Sequence, residues 1–76
     1  VKRPRNPVQR AKIVGSKWTA TRPSNRERHF MVQDWVRDED GHPTDEVELE
    51  AVVTGRVRTI HWKDLEATDH WQIGWR

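Results

Sequence analysis

The chain has 76 residues, of which 33% are hydrophobic and 34% charged, which allows one small domain and excludes a large buried core. Cysteine is absent, which excludes a disulfide framework or a thiolate metal site and fits a reducing cytosol; no apolar run reaches the roughly 18 residues of a membrane span, and the start carries no apolar signal core. Net charge is +2 but unevenly divided: residues 1–28 hold nine basic residues and one acid, for +8, and residues 29–76 hold five basic residues and eleven acids, for −6.

With so thin a hydrophobic supply, the five tryptophans are the main core material, each able to bury about 150–250 Å². The chain begins at Val1, as expected where an initiator methionine is removed or left out. Residues 1–15 are basic, contain proline and show no periodicity. They read as an extended, mobile arm ahead of a β domain over residues 16–76. Residues 17–21 predict a first short strand with Trp18 and Ala20 on one face, and Arg22-Pro23-Ser24-Asn25 a loop. Residues 29–37 predict a second strand with Phe30 and Val32 on one face, Met31 and Gln33 on the other. Trp35 and Val36 break that alternation, so a bulge or bend is expected near Asp34. Residues 38–45 form an acidic loop with turn signals at Asp40-Gly41 and His42-Pro43.

The stretch from Val47 to Leu65 organises the rest. Val47, Leu49, Ala51 and Val53 alternate with Glu46, Glu48, Glu50 and Val52, the period of a half-buried strand. Thr54-Gly55 predicts a two-residue hairpin turn. That turn sets Val53 opposite Arg56, Val52 opposite Val57, Leu49 opposite Ile60 and Val47 opposite Trp62. Residues 62–65 then leave the strand as a short 3₁₀ turn, residues 68–71 turn again, and residues 71–75 end as a short strand or packed tail. Trp62, Leu49, Val47, Phe30 and Trp18 are expected to be buried together. The fold class that follows is all-β: a small antiparallel sheet or an SH3-like barrel, with a short 3₁₀ turn and an extended basic N-terminal arm.

Ser16-Lys17-Trp18-Thr19-Ala20, His29-Phe30, Val47 to Val52 with Thr54-Gly55-Arg56, Trp62 with Leu65, then Trp71 and Gly74-Trp75 form a set of spaced motifs. Together, over residues 12–76, they resemble a family of small tryptophan-rich proteins of unknown function found in cyanobacteria and proteobacteria. The resemblance implies a bacterial source and a stand-alone small protein. It brings no activity and no site residues.

His29, His42, His61 and His70 share no ligand spacing. Asp38-Glu39-Asp40-Gly41 is similar to the start of a calcium loop, but Gly41 falls at the fourth position rather than the sixth. It reads as a solvated acidic turn, so no metal or cofactor is expected. Glu48 or Glu50 across from His61 is the one candidate acid–base pair, and on an exposed sheet face it reads as a surface ion pair. No enzyme is expected.

Trp18, Trp62 and Trp75 lie in apolar contexts and are expected in the core. Trp35 and Trp71 have polar neighbours and are expected as exposed contact residues. The leading functional expectation is a cytosolic module that binds RNA or a ribonucleoprotein through Lys2, Arg3, Arg5, Arg10, Lys12, Lys17, Arg22, Arg26 and Arg28, since basic arms neutralise phosphates. The second is protein interaction. Pro4-Arg5-Asn6-Pro7 has the spacing of ligands that aromatic grooves with acidic rims bind. Trp35, Asp38, Glu39, Asp40 and Trp71, with Asp45 and Glu46 nearby, are the candidate groove. Its ligand would be a basic, proline-containing segment of a partner, of this chain's own arm, or of a neighbouring copy in a homo-oligomer or larger complex.

Overall fold

Alternating apolar residues dominate the strands, and the computed structural model, which describes residues 5–76, joins five of them into one open antiparallel sheet. The strands are β1 (Lys17–Ser24), β2 (Glu27–Arg37), β3 (Pro43–Ala51), β4 (Val57–His61) and β5 (Trp71–Ile73). Their spatial order is β4-β3-β2-β1-β5, so four strands meander and β5 returns beside β1. No ladder joins β4 to β5, and the barrel stays unclosed. Irregular segments add buried side chains to the core. Leu65, in a 3₁₀ turn over Trp62–Glu66, and Ile13, just after a 3₁₀ turn over Arg10–Lys12, are 0% and 2% exposed. No helix among the described residues is long and apolar enough to cross a membrane.

The core holds Trp18 of β1, Phe30 and Val32 of β2, and Val47, Leu49 and Ala51 of β3, together with Ile13, Leu65 and Trp71. These strand residues are the ones their alternation marks as inward. Trp62 opens the second 3₁₀ turn instead of ending β4 and is half-buried against the core. The bulge at Asp34 is present: Val32 pairs with Leu49 but Asp34 with Glu48, one residue out of step.

The β3–β4 register differs from the expected one. Glu50 pairs with Val57, Leu49 with Arg58, Glu48 with Thr59, Val47 with Ile60 and Glu46 with His61. The connection is longer than Thr54-Gly55 alone. Gly55 at φ +74° donates its N–H to Ala51 O at 2.8 Å, and Ala51 donates to Arg56 O at 2.9 Å. Residues 52–55 therefore loop out as a unit, a connection of the longer hairpin type. The displacement is two residues, so every side chain keeps its face. Its visible cost is at the tip, where Val52, Val53 and Val57 are exposed.

Residues 22–25 are not a loop. β1 runs to Ser24, pairs it with Glu27, and turns through Asn25 and Arg26, both at positive φ (55° and 64°). Two central residues at positive φ make the primed hairpin turn that suits twisted strands. Pro23 is tolerated because the ladder to β2 is irregular between Thr19 and Ser24 and β5 pairs only with Trp18 to Ala20.

From Arg5 onward the N-terminal segment is docked rather than free. Arg5 bridges Ala67, and Asn6 donates its backbone N–H to Glu66 O at 3.0 Å. The Asn6 amide reaches Leu65 O at 2.8 Å and Trp71 O at 2.9 Å. Gly15 and Ser16 then exchange backbone bonds with Val32. Part-buried amide contacts and two apolar residues, Val8 and Ile13, hold a segment that composition alone marks as arm-like.

Two tryptophans exchange their expected places. Trp71 is 6% exposed, packed edge-on against Phe30 at 5.3 Å between ring centres. Trp75 is 44% exposed. In β5 the alternation turns Trp71 inward and Gln72 outward whatever the polarity of the neighbours. Beyond it, Gly74 at φ +79° swings the chain onto the outer face, where Trp75 Nε1 donates to Phe30 O at 3.0 Å and Lys17 Nζ lies 4.7 Å above the ring. Thr19, the one buried polar residue among those described, is satisfied by this tail: its hydroxyl donates to Gly74 O and accepts from Arg76 N.

Candidate functional site

The β3–β4 register places Arg58 opposite Leu49, on the core side of the sheet. An arginine there cannot enter the core, so its guanidinium lies across the mouth. It sits 4.9 Å from the Phe30 ring centre and 5.4 Å from that of Trp71, within the range of cation–π attraction. A cleft of about 450 Å³ opens beside it, between Ala20 and Arg22 of β1, Arg58 and Ile60 of β4, and His70 and Trp71. Asp64 is the carboxylate on its wall. On the other side of Arg58 a smaller depression of about 140 Å³ runs between Asn25, Glu27 and Arg56. Arg58 is thus the partition between two hollows that separate the β1–β2 hairpin from the β3–β4 hairpin.

Charge gathers at this end. Arg22 and Arg26 belong to the β1–β2 hairpin, and Arg28 alternates onto the same side of β2 as Phe30. Among the described residues, Arg22, Arg26, Arg28 and Arg58 have no carboxylate at ion-pair distance. Arg56 Nε is 3.7 Å from Glu27 Oε2, and the same carboxylate accepts the Thr54 hydroxyl, which ties the two hairpin tips together. Arg56 and Arg58 were not among the expected site residues. They lie in the acidic half of the sequence, where a count of charge hides them. The available signal was Arg58 itself, an arginine on the apolar face of a strand.

The other basic residues expected at a nucleic-acid site do not converge on this mouth. Lys2 and Arg3 lie outside the described residues. Arg5 is exposed beside Ala67. Lys12 borders a groove of about 490 Å³ near Val8, Trp18 and Ile73. Lys17 covers Trp75 on the outer face.

Arg10 is held at a different place. Its Nη1 is 2.9 Å from Asp45 Oδ1, and its guanidinium carbon lies 4.3 Å from the Trp35 ring centre and 5.5 Å from that of Trp62. Of the residues expected to form a protein-binding face, Trp35 is half-buried and lies beneath this arginine. Asp38, Glu39 and Asp40 are exposed in the β2–β3 turn. Trp71 is buried against Phe30 and borders the cleft beside Arg58.

The β2–β3 turn is self-closed. Asp38 Oδ1 accepts from Asp40 N at 3.0 Å and His42 N at 2.9 Å, and Gly41 sits at φ +81°. Asp38, Asp40 and His42 each bring one ligand-type atom within 4.8 Å of the others, all on exposed side chains. The Asp38 carboxylate is already engaged by the amides that shape the turn. The expected Glu–His pair is not formed across the hairpin. His61 faces Glu46, its Nδ1 accepts from Lys63 N at 3.1 Å to cap the 3₁₀ turn, and Glu50 accepts from Gln33 at 2.7 Å.

An open five-stranded sheet, two 3₁₀ turns, tryptophans on both faces and an arginine-lined mouth define a small tryptophan-rich all-β protein. The family model described as tryptophan-rich protein (DUF2389) matches residues 16–76, and the chain belongs to that family. No curated protein and no solved structure matches the chain.

Proposed function

We propose that this protein is a cytosolic, non-catalytic binding module that associates with RNA or a ribonucleoprotein through its basic segment, with the contact centred on Arg22, Arg26 and Arg28 and extended by Arg56 and Arg58. The observation that carries this reading is the absence, among the described residues, of a carboxylate at ion-pair distance from Arg22 and Arg58, which line one open cleft, and from Arg26 and Arg28 in the β1–β2 hairpin beside it. Uncompensated guanidinium groups bind phosphate with a planar, bidentate fork. Arginine planes also stack on the unpaired bases of single-stranded RNA. The cleft between Arg22 and Arg58, about 450 Å³, is within the size range of small-ligand sites and has room for one nucleotide of a strand crossing the mouth.

The test is fluorescence anisotropy with a labelled single-stranded RNA of mixed sequence across a salt series. Affinity should fall with salt at a log–log slope of about −0.7 for each phosphate contacted. Arg22→Ala and Arg28→Ala should each flatten that slope without shifting the melting temperature. Absence of binding at low salt would refute the proposal.

A further inference from the structure

Trp35 and Trp62 come from different elements, β2 and the second 3₁₀ turn, yet one guanidinium lies over both rings. Asp45, at the start of β3, completes the arrangement through its 2.9 Å contact with Arg10. Two indole faces with one carboxylate are a chemically selective set. The ring quadrupoles attract a cation within about 6 Å, and the carboxylate takes an N–H from a planar group better than from a compact ammonium. Both indoles pack against the core, so their positions are set by the core rather than by Arg10.

The backbone that carries Arg10 is anchored on both sides without it. Asn6 is bonded to Leu65, Glu66 and Trp71 on one side, and Ile13 is 2% exposed on the other. Arg10 is therefore a side chain lodged in a rigid site, on a segment that stays docked when the side chain is removed. Its pair with Asp45 is open to water, with side-chain exposures of 45% and 68%, and such pairs exchange readily. The rim holds more acid than base: Asp38, Glu39 and Asp40 lie exposed in the adjoining turn, against Lys63, whose Nζ is 5.7 Å from the Trp62 ring centre. That rim favours approach by a basic segment over an acidic one.

We propose that Trp35, Trp62 and Asp45 form an arginine-binding site, that Arg10 fills it within the chain, and that an arginine from a basic segment of a partner protein replaces Arg10 when the two associate. This site is separate from the arginine-lined mouth and does not rest on RNA binding. An incoming arginine meets the same rings and the same carboxylate that Arg10 leaves, so exchange is limited by how often the internal pair is open. The apparent affinity for an external arginine is reduced by that open fraction. Removing the Arg10 side chain lifts the reduction.

The test uses the full chain and contains no RNA. A Gly-Arg-Gly peptide blocked at both ends, and its Gly-Lys-Gly counterpart, are titrated into the wild type and Arg10→Ala while the indole N–H NMR signals of Trp35 and Trp62 are followed. Arg10→Ala should show saturable shifts of both indoles with the arginine peptide, at an apparent affinity about tenfold tighter than the wild type. The lysine peptide should bind more weakly. Asp45→Asn and Trp35→Ala, each placed in the Arg10→Ala background, should weaken and abolish the response. Arg10→Met, which keeps an apolar stem over the rings, is the second variant should Arg10→Ala melt early. No saturable indole shift in either folded variant would overturn the proposal, as would equal binding of the two peptides.

Discussion

Among the described residues two arginines each lie over two aromatic rings, and they end in opposite electrostatic states. Arg10 covers Trp35 and Trp62 and is neutralised by Asp45. Arg58 covers Phe30 and Trp71 and has no carboxylate at ion-pair distance among the described residues. The rings beneath them differ as well. Trp35 and Trp62 are half-buried at the margin of the core, whereas Phe30 and Trp71 are part of it, at 2% and 6% exposure. The same ring–cation geometry thus serves two ends. Where a third, acidic group is present the arginine is locally satisfied. Where it is missing the guanidinium covers core rings, and no carboxylate at ion-pair distance among the described residues neutralises it.

The largest expected effect tests the rings. Trp71→Ala should cost about 3–5 kcal/mol, the range for a large aromatic lost from a core, which a small domain barely tolerates. Trp35→Ala, which removes a half-buried ring, should cost about half as much. Urea unfolding measures both. Equal costs would remove the distinction between a core ring and a marginal one on which the comparison rests. Next comes the anchor that keeps Arg10 near its site. Ile13→Ala should destabilise by about 2–5 kcal/mol. A change near zero would mean that residues 5–13 are held by their hydrogen bonds alone.

The parts of this arrangement differ in how far the sequence discloses them. Val47, Leu49 and Ala51 announce their inward face by alternation with acids, and the face survived a register displaced at the turn because the displacement was even. Trp71 and Trp75 depart from their expected places because polar neighbours report little about burial in a strand of three residues followed by a glycine kink. Val8 and Ile13 carry no periodic signal, since the segment that bears them has no strand to set a period. The Arg10–Asp45 contact spans 35 residues, and attraction between a basic and an acidic half does not choose the pair. The choice comes from where β2, β3 and the 3₁₀ turn set their tryptophans. Alternation puts Arg58 on the apolar face of its strand, while the ring of Trp71 beneath it is brought there by β5 from 13 positions away in sequence.

A smaller effect separates the two arginines in binding. Arg58→Ala should reduce the RNA salt slope by about 0.7, the loss of one phosphate contact, while Arg10→Ala should leave it unchanged because Asp45 already compensates that charge. If both variants flatten the slope equally, local pairing does not govern which arginines meet phosphate.

The smallest effect is the most discriminating, and it comes from Asp45→Asn. The pair it breaks is exposed on both sides, so stability should fall by no more than about 1 kcal/mol. Arg10 would then lie over Trp35 and Trp62 as Arg58 lies over Phe30 and Trp71, a cation on aromatic rings without a carboxylate. If neutralisation alone distinguishes the two, Asp45→Asn should strengthen RNA binding and steepen the salt slope by up to about 0.7, as one more cation becomes available to a phosphate. If position distinguishes them, the slope will stay at the wild-type value, because a strand crossing the mouth does not pass Trp35. Anisotropy across the same salt series reads the difference, and Asp45→Asn with Arg10→Ala must return the slope to the wild-type value if Arg10 is the cation released.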